Sequence, residues 1–151
     1  METLAIIQAR MGSSRLPGKV MLPLEDKTVI EHVINRVGMS KGIHEVIVAT
    51  SIDSSNLPLI ALCAEKNCRV FAGSEGDVLD RFYQAARLFK PQKIVRITAD
   101  CPLVDPNIID AVIEAHDSKK ADYTSNGQPP TLPDGYDAEV FSFDSLCQAW
   151  E

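Results

Sequence analysis

Apolar residues along this chain switch repeatedly between strand-like runs and helical spacing. Residues 4–7 form an unbroken apolar run that ends at Gln8 and predicts a buried first strand. Val29, Ile30, Val33, Ile34 and Val37 then recur at helical spacing and predict an amphipathic helix that stops near Gly38. Residues 45–50 (EVIVAT) predict a β-branched strand, residues 57–66 a helix with Pro58 tolerated in its first turn, and residues 69–72 a short strand. Val78, Leu79, Phe82, Ala85, Ala86 and Phe89 mark another helix, with Ser74 or Asp77 near its start. Residues 93–98 (KIVRIT) predict a strand, and residues 106–116 a helix whose core face is Ile109, Val112 and Ile113. DYTSN at 122–126 and AEVFSF at 138–143 predict late strands, and FDSLCQAWE looks like a final helix.

Helices between strands imply parallel pairing through right-handed crossovers. The expected fold class is therefore α/β, a three-layer sandwich around a mainly parallel twisted sheet, with residues 1–151 as one domain. Ligands of such sheets sit beyond the carboxyl ends of the strands, which selects residues 8–19, 50–53, 73–80 and 99–105 for inspection. No internal repeat interrupts the pattern, and only residues 127–135, with Pro129, Pro130 and Pro133, read as a linker-like loop.

Composition narrows the function. At 45% hydrophobic and 24% charged residues the chain is ordinary globular material. A net charge of -6 leaves no broad basic face, so no nucleic-acid partner is expected. No apolar run approaches the roughly 20 residues of a membrane span. The N-terminal apolar run is short for a signal peptide and no basic segment precedes it, so a cytoplasmic location is expected. Cys63, Cys68, Cys101 and Cys147 form no CxxC pair and read as reduced thiols.

Against that acidic background, the cations of QARMGSSRLPGKV (residues 8–20) stand out. Gly12 and Gly18 allow tight turning and close approach to an anion, and Arg10, Arg15 and Lys19 supply charge for phosphate oxygens. A Walker A loop has four residues between its glycines and Ser or Thr after its Lys; here there are five, then Val20. A dinucleotide fingerprint opens a helix, whereas Pro23 follows closely here. Asp100 directly follows the strand at 93–98, where a metal ligand would face the cleft. Asp105, before Pro106, reads better as a helix cap. Thr50, Ser51 and Asp53 suit ribose or base contacts and turn chemistry equally. Asp77 suits a cap, and His32, His44 and His116 read as structural.

The same loop resembles the N-terminal signature of the sugar-acid cytidylyltransferases, the group of acylneuraminate and CMP-KDO synthetases, and most of all its spore coat polysaccharide biosynthesis protein F type. The resemblance continues through VATS at 48–51 with Asp53, GSEGDVLDRFYQAA at 73–86, RITADCPLVDP at 96–106 and PDGYDAEVFS at 133–142. It implies the fold of the nucleotide-diphospho-sugar transferases and transfer of CMP from CTP to a sugar acid, with release of pyrophosphate. It further implies that Gln8, Arg10, Gly12, Ser13, Ser14, Arg15 and Lys19 hold the nucleotide's triphosphate, with Arg81 at the nucleotide pocket. Mg²⁺ or Mn²⁺ would sit on Asp100, and Asp137 and Glu139, which strand alternation puts on one face, would lie on the metal or sugar side. Family members are longer and often dimeric, so a missing C-terminal part is expected and a homodimer stays open. A UTP- or GTP-dependent sugar nucleotidyltransferase and a non-catalytic module remain the alternatives.

Overall fold

The computed structural model describes residues 1–151. The strands are β1 (Thr3–Gln8), β2 (Pro23–Leu24), β3 (Lys27–Thr28), β4 (Glu45–Ser51), β5 (Arg69–Gly73), β6 (Lys93–Thr98), β7 (Tyr123–Ser125) and β8 (Glu139–Ser142). The helices are α1 (Val29–Val37), α2 (Leu57–Glu65), α3 (Val78–Phe89), α4 (Pro106–Lys119) and α5 (Phe143–Trp150). Six strands form one sheet in the order β5-β4-β1-β6-β8-β7. The first four are parallel, and β8 runs antiparallel to both its neighbours. The expected mainly parallel α/β sandwich is observed.

Strand alternation sorts the core into two layers. On one face, Ala5, Ile7, Val48, Val95 and Ile97 pack with Ile30 and Val33 of α1, Leu59 of α2 and Ile109 of α4. On the other, Leu4, Ile6, Ile47, Ala49 and Ile94 pack with Phe82, Ala85 and Ala86 of α3 and Leu146 of α5. The switch of face follows from handedness. The connections β1-α1-β4 and β4-α2-β5 step one way along the sheet, whereas β5-α3-β6 steps back across β1. A right-handed crossover in the reverse direction must cover the opposite face.

Local chemistry starts the helices where the sequence predicts. Thr28 and Glu31 form a reciprocal capping box on α1. Asp77 caps α3 and Asp105 caps α4, each accepting from a backbone N–H. The β2–β3 hairpin and the two 3₁₀ turns at Lys19–Met21 and Ser54–Asn56 were not anticipated, because two- and three-residue elements carry no periodic signal.

The α1 cap reaches further through Glu31, whose Oε1 lies 2.8 Å from Lys66 Nζ. The Lys66 ammonium, followed by the Thr28 amide, pulls the Glu31 carboxyl down to about 2. Its unfolded value is about 4.3, so this stabilisation is complete above that pH and is lost as pH falls toward 2. Lys66 is half-exposed and solvent screens the pair, so Lys66→Ala should lower stability only slightly at neutral pH. In urea unfolding series, the gap between parent and variant should shrink between pH 5 and pH 2; a constant gap would refute the assignment.

Candidate functional site

The register ends β1 and β6 level, with Gln8 beside Thr98, while β4, whose Ala49 pairs with Gln8, runs two residues further to Ser51. The chain leaves β1 toward β4 but reaches β6 from beyond β5, so the sheet's direction of travel reverses between β1 and β6. Such a switch point opens a crevice between the two outgoing loops. Here those loops are residues 9–18 and 99–105.

Both loops are tied to rigid elements. Ala9 N–H donates to Ala49 O and Ala99 N–H to Gln8 O, extending the sheet by one bond each. Gly18 N–H closes the first loop onto Met11 O at 2.9 Å, with Gly18 at φ +69°. Met11 N–H donates to the side chain of Asn56 at 2.8 Å. In the second loop, Arg36 Nε of α1 donates to Val104 O at 2.6 Å.

Between the loops lies a cavity of about 260 Å³. Its walls carry Gln8, Arg10, Gly12, Ser13, Ser14, Arg15 and Lys19 from the first loop and its strand, and Arg96, Thr98 and Asp100 from β6 and its loop. Four of the chain's 15 lysines and arginines therefore face one small cavity, against the single carboxylate of Asp100. In a protein of net charge -6 this is a local reversal of sign, and it suits an anion. Arg10 and Arg15 are exposed and have no carboxylate within salt-bridge distance, so their charge is free for a ligand. Lys19 Nζ stands 2.5 Å from Asp100 Oδ2. Partial burial works to raise the Asp100 carboxyl, but Lys19 and the Thr98 hydroxyl outweigh it and hold it below its usual value. Burial pushes the neighbouring Cys101 thiol up, with help from Asp100, Asp134 and Asp137, so it is a poor nucleophile.

Arg81 is 2% exposed and lies outside the cavity wall. Its Nη1 donates to Ser74 O, its Nε has no partner, and no carboxylate pairs with it. Burial and the nearby Arg10 guanidinium both lower its pKa. The carboxylates of Glu75 and Asp77 act in the opposite direction and offset part of that effect.

The structure corrects three expectations. Thr50 is fully buried, on the same strand face as the core residue Val48, and its hydroxyl has no partner; it does not reach the cleft. Asp53 accepts from Ser55 N–H at 2.8 Å and lies outside the cavity wall, so turn chemistry accounts for it. Asp100, Asp137 and Glu139 do not converge, since no group of three or more acidic, His or Cys side chains is placed to hold a metal. Glu139 is held by Arg96 Nη1 at 2.6 Å, and it lines a separate open cavity of about 490 Å³ with Asp137, Tyr123 and Ser125. Mg²⁺, however, needs only one or two protein carboxylates when phosphate oxygens and water complete its shell, and Asp100 alone on the cavity wall fits that donor set.

Arg96 and Asn56 were missed. Arg96 spans the two cavities: its Nε and Nη2 donate to Gln8 Oε1 at 3.3 and 3.2 Å, while Nη1 holds Glu139. The available signal was a charge in the middle of the strand KIVRIT, flanked on both sides by apolar residues. Asn56 carried none, because its partner is a backbone amide 45 residues earlier.

Comparison with known proteins places this geometry. A family model described as cytidylyltransferase matches residues 4–151. The spore coat polysaccharide biosynthesis protein SpsF of Bacillus subtilis is 43% identical over 127 residues, which cover 82% of this chain and 53% of that protein. A 3-deoxy-manno-octulosonate cytidylyltransferase of Anaeromyxobacter dehalogenans is 36% identical over 112 residues, covering 73% of this chain and 45% of that one. The solved structure of a cytidylyltransferase from Leptospira borgpetersenii superposes with a TM-score of 0.91 at 33% identity, over 98% of this chain and 63% of that one. The chain thus spans about half the length of these two curated relatives.

The two loop glycines should separate cleanly under substitution. A Cβ on Gly12 would meet nothing within 4 Å, whereas Gly18 is left-handed and its Cβ would lie 3.4 Å from the Met11 methyl. Gly18→Ala should therefore cost about 1–2 kcal/mol in denaturant unfolding. Gly12→Ala should stay within about 0.5 kcal/mol of the parent. Equal losses would refute the observed loop conformation.

Proposed function

This chain belongs to the cytidylyltransferase family, and from that premise we propose that it serves transfer of a cytidylyl group from CTP to a hydroxyl of a sugar acid, in the making of a surface polysaccharide. The observation that carries the reading is the cavity between the β1 and β6 loops, positively charged in an acidic protein, with Arg10 and Arg15 unpaired. Its volume and glycine-bearing wall suit a nucleotide's phosphates better than a larger apolar ligand.

In the proposed reaction the sugar oxygen bonds to the α-phosphorus as the bond from that phosphorus to the bridging β-phosphate oxygen breaks. Pyrophosphate leaves with that electron pair, and the hydroxyl proton passes to water. No protein nucleophile takes part, so the protein's contribution is orientation and charge stabilisation. Arg10 and Arg15 bind non-bridging phosphate oxygens through their planar forks, and Lys19 adds a point charge where pyrophosphate becomes more negative. Arg81, sharing a region with Arg10, adds positive potential behind the phosphates. A divalent cation such as Mg²⁺ or Mn²⁺, when bound, neutralises triphosphate charge and polarises the α-phosphorus, and Asp100 is the residue that would hold it. Asp137 and Glu139, which line the 490 Å³ cavity beyond Arg96, would accept from sugar hydroxyls. Use of CTP goes with a cytoplasmic setting. The acceptor sugar, the polysaccharide role and any dimer belong to this proposal, since the chain spans about half of its curated relatives.

A thermal-shift panel of CTP, UTP, GTP and ATP with Mg²⁺ tests the reading directly. CTP should raise the melting temperature most, and stabilisation by none of them would end it. In a pyrophosphate-release assay, Lys19→Ala should lower turnover with CTP by more than about ten-fold, the scale of one lost transition-state contact. Lys119→Ala, at the far end of α4, should leave it unchanged.

A further inference from the structure

Asn56 ends a short 3₁₀ turn just before α2 and is 1% exposed. Asparagine at such a position ordinarily caps the helix that follows. This one makes no cap bond. Its Nδ2 donates instead to Ser51 Oγ at 2.8 Å and to Ser51 O at 3.2 Å, which pins the amide to the end of β4. Its Oδ1 accepts from Met11 N–H at 2.8 Å. Met11 is also the neck of the cationic loop, since its carbonyl takes the N–H of Gly18. One residue thus gathers both ends of the loop, and Asn56 fixes that residue to the sheet. The three residues that follow Met11, namely Gly12, Ser13 and Ser14, line the 260 Å³ cavity.

We infer that Asn56 is a positioning residue for the phosphate-binding loop, holding the Met11 peptide so that Gly12, Ser13 and Ser14 stand in the cavity wall. It touches no ligand itself. Its amide matches the task because one side chain must donate to β4 and accept from the loop at once. Leucine has the volume but neither function, and aspartate keeps the acceptor. The inference rests on the reading of the cavity as a phosphate site, so its test begins with a ligand that has no base.

Calorimetric titration with inorganic tripolyphosphate, CTP and CMP, each with Mg²⁺, would compare the parent with Asn56→Leu and Asn56→Asp. Asn56→Leu should weaken tripolyphosphate and CTP by about ten-fold, the scale of one lost buried hydrogen bond, and leave CMP within about two-fold. Asn56→Asp keeps the acceptor for Met11 N–H but loses the donor to β4, so it should bind tripolyphosphate less tightly than the parent. A general loss of structure would move CMP as well. Folded Asn56→Leu that binds tripolyphosphate like the parent overturns the inference. Should Asn56→Leu not fold, Ser51→Ala removes the shorter of the amide's two bonds to β4 and leaves the one to Ser51 O; it should weaken tripolyphosphate by a smaller factor but not CMP, and unchanged tripolyphosphate binding overturns the inference equally. Clamp-dependent binding of tripolyphosphate with no preference for CTP over other nucleotides would instead sink the cytidylyltransferase assignment of the cavity and leave the role of Asn56 standing.

Discussion

Lys19 and Asp100, 81 residues apart in sequence, meet at 2.5 Å over the point where the sheet reverses direction. The pair is one-third to two-fifths exposed, so its own contribution to stability is at most about 1 kcal/mol. It therefore does not hold the loops together. The contact is a consequence of the sheet, whose β1 and β6 end in register and send their loops outward on either side of one crevice. The rest of the site depends on that placement, because a cation and a carboxylate that share a wall can divide a metal–phosphate ligand between them.

The loops are held by stronger means. Backbone bonds continue the sheet past Gln8 and Thr98, Arg36 fixes Val104, and Asn56 fixes Met11. Each of these anchors comes from a strand or from the start or body of a helix packed on the core. Two of the four cavity cations are free of structural duty: Arg10 and Arg15 pair with nothing, whereas Lys19 meets Asp100 and Arg96 meets Glu139. Charges not consumed by internal ion pairs retain their field for a ligand, and the supporting shell keeps that field in place.

Capping explains why so many acidic residues near the strand ends are unavailable for chemistry. Asp53, Asp77 and Asp105 all accept from backbone amides at helix or turn starts. Among the acids that follow the first four parallel strands of the sheet, Asp100 alone faces the cationic cavity. The acidic composition and the cationic site are therefore compatible, because most carboxylates near the site are turned to structural work.

By itself the sequence determined the layers, the parallel sheet, the cationic loop and the position of Asp100, because apolar period, cap residues and strand ends are local signals read over a few residues. The motif QARMGSSRLPGKV also pointed to its family without help from the fold. Tertiary structure decided which polar side chains face the cavity. Thr50 and Asp53 sit at a strand's carboxyl end, as a ligand contact would, yet one is turned into the core and the other into a turn. Arg96 and Asn56 became visible only once β6 lay beside β1 and the start of α2 lay against Met11. The physical reason is distance along the chain: a side chain's role here is set by partners 45 to 88 residues away, and no periodicity encodes a partner that remote.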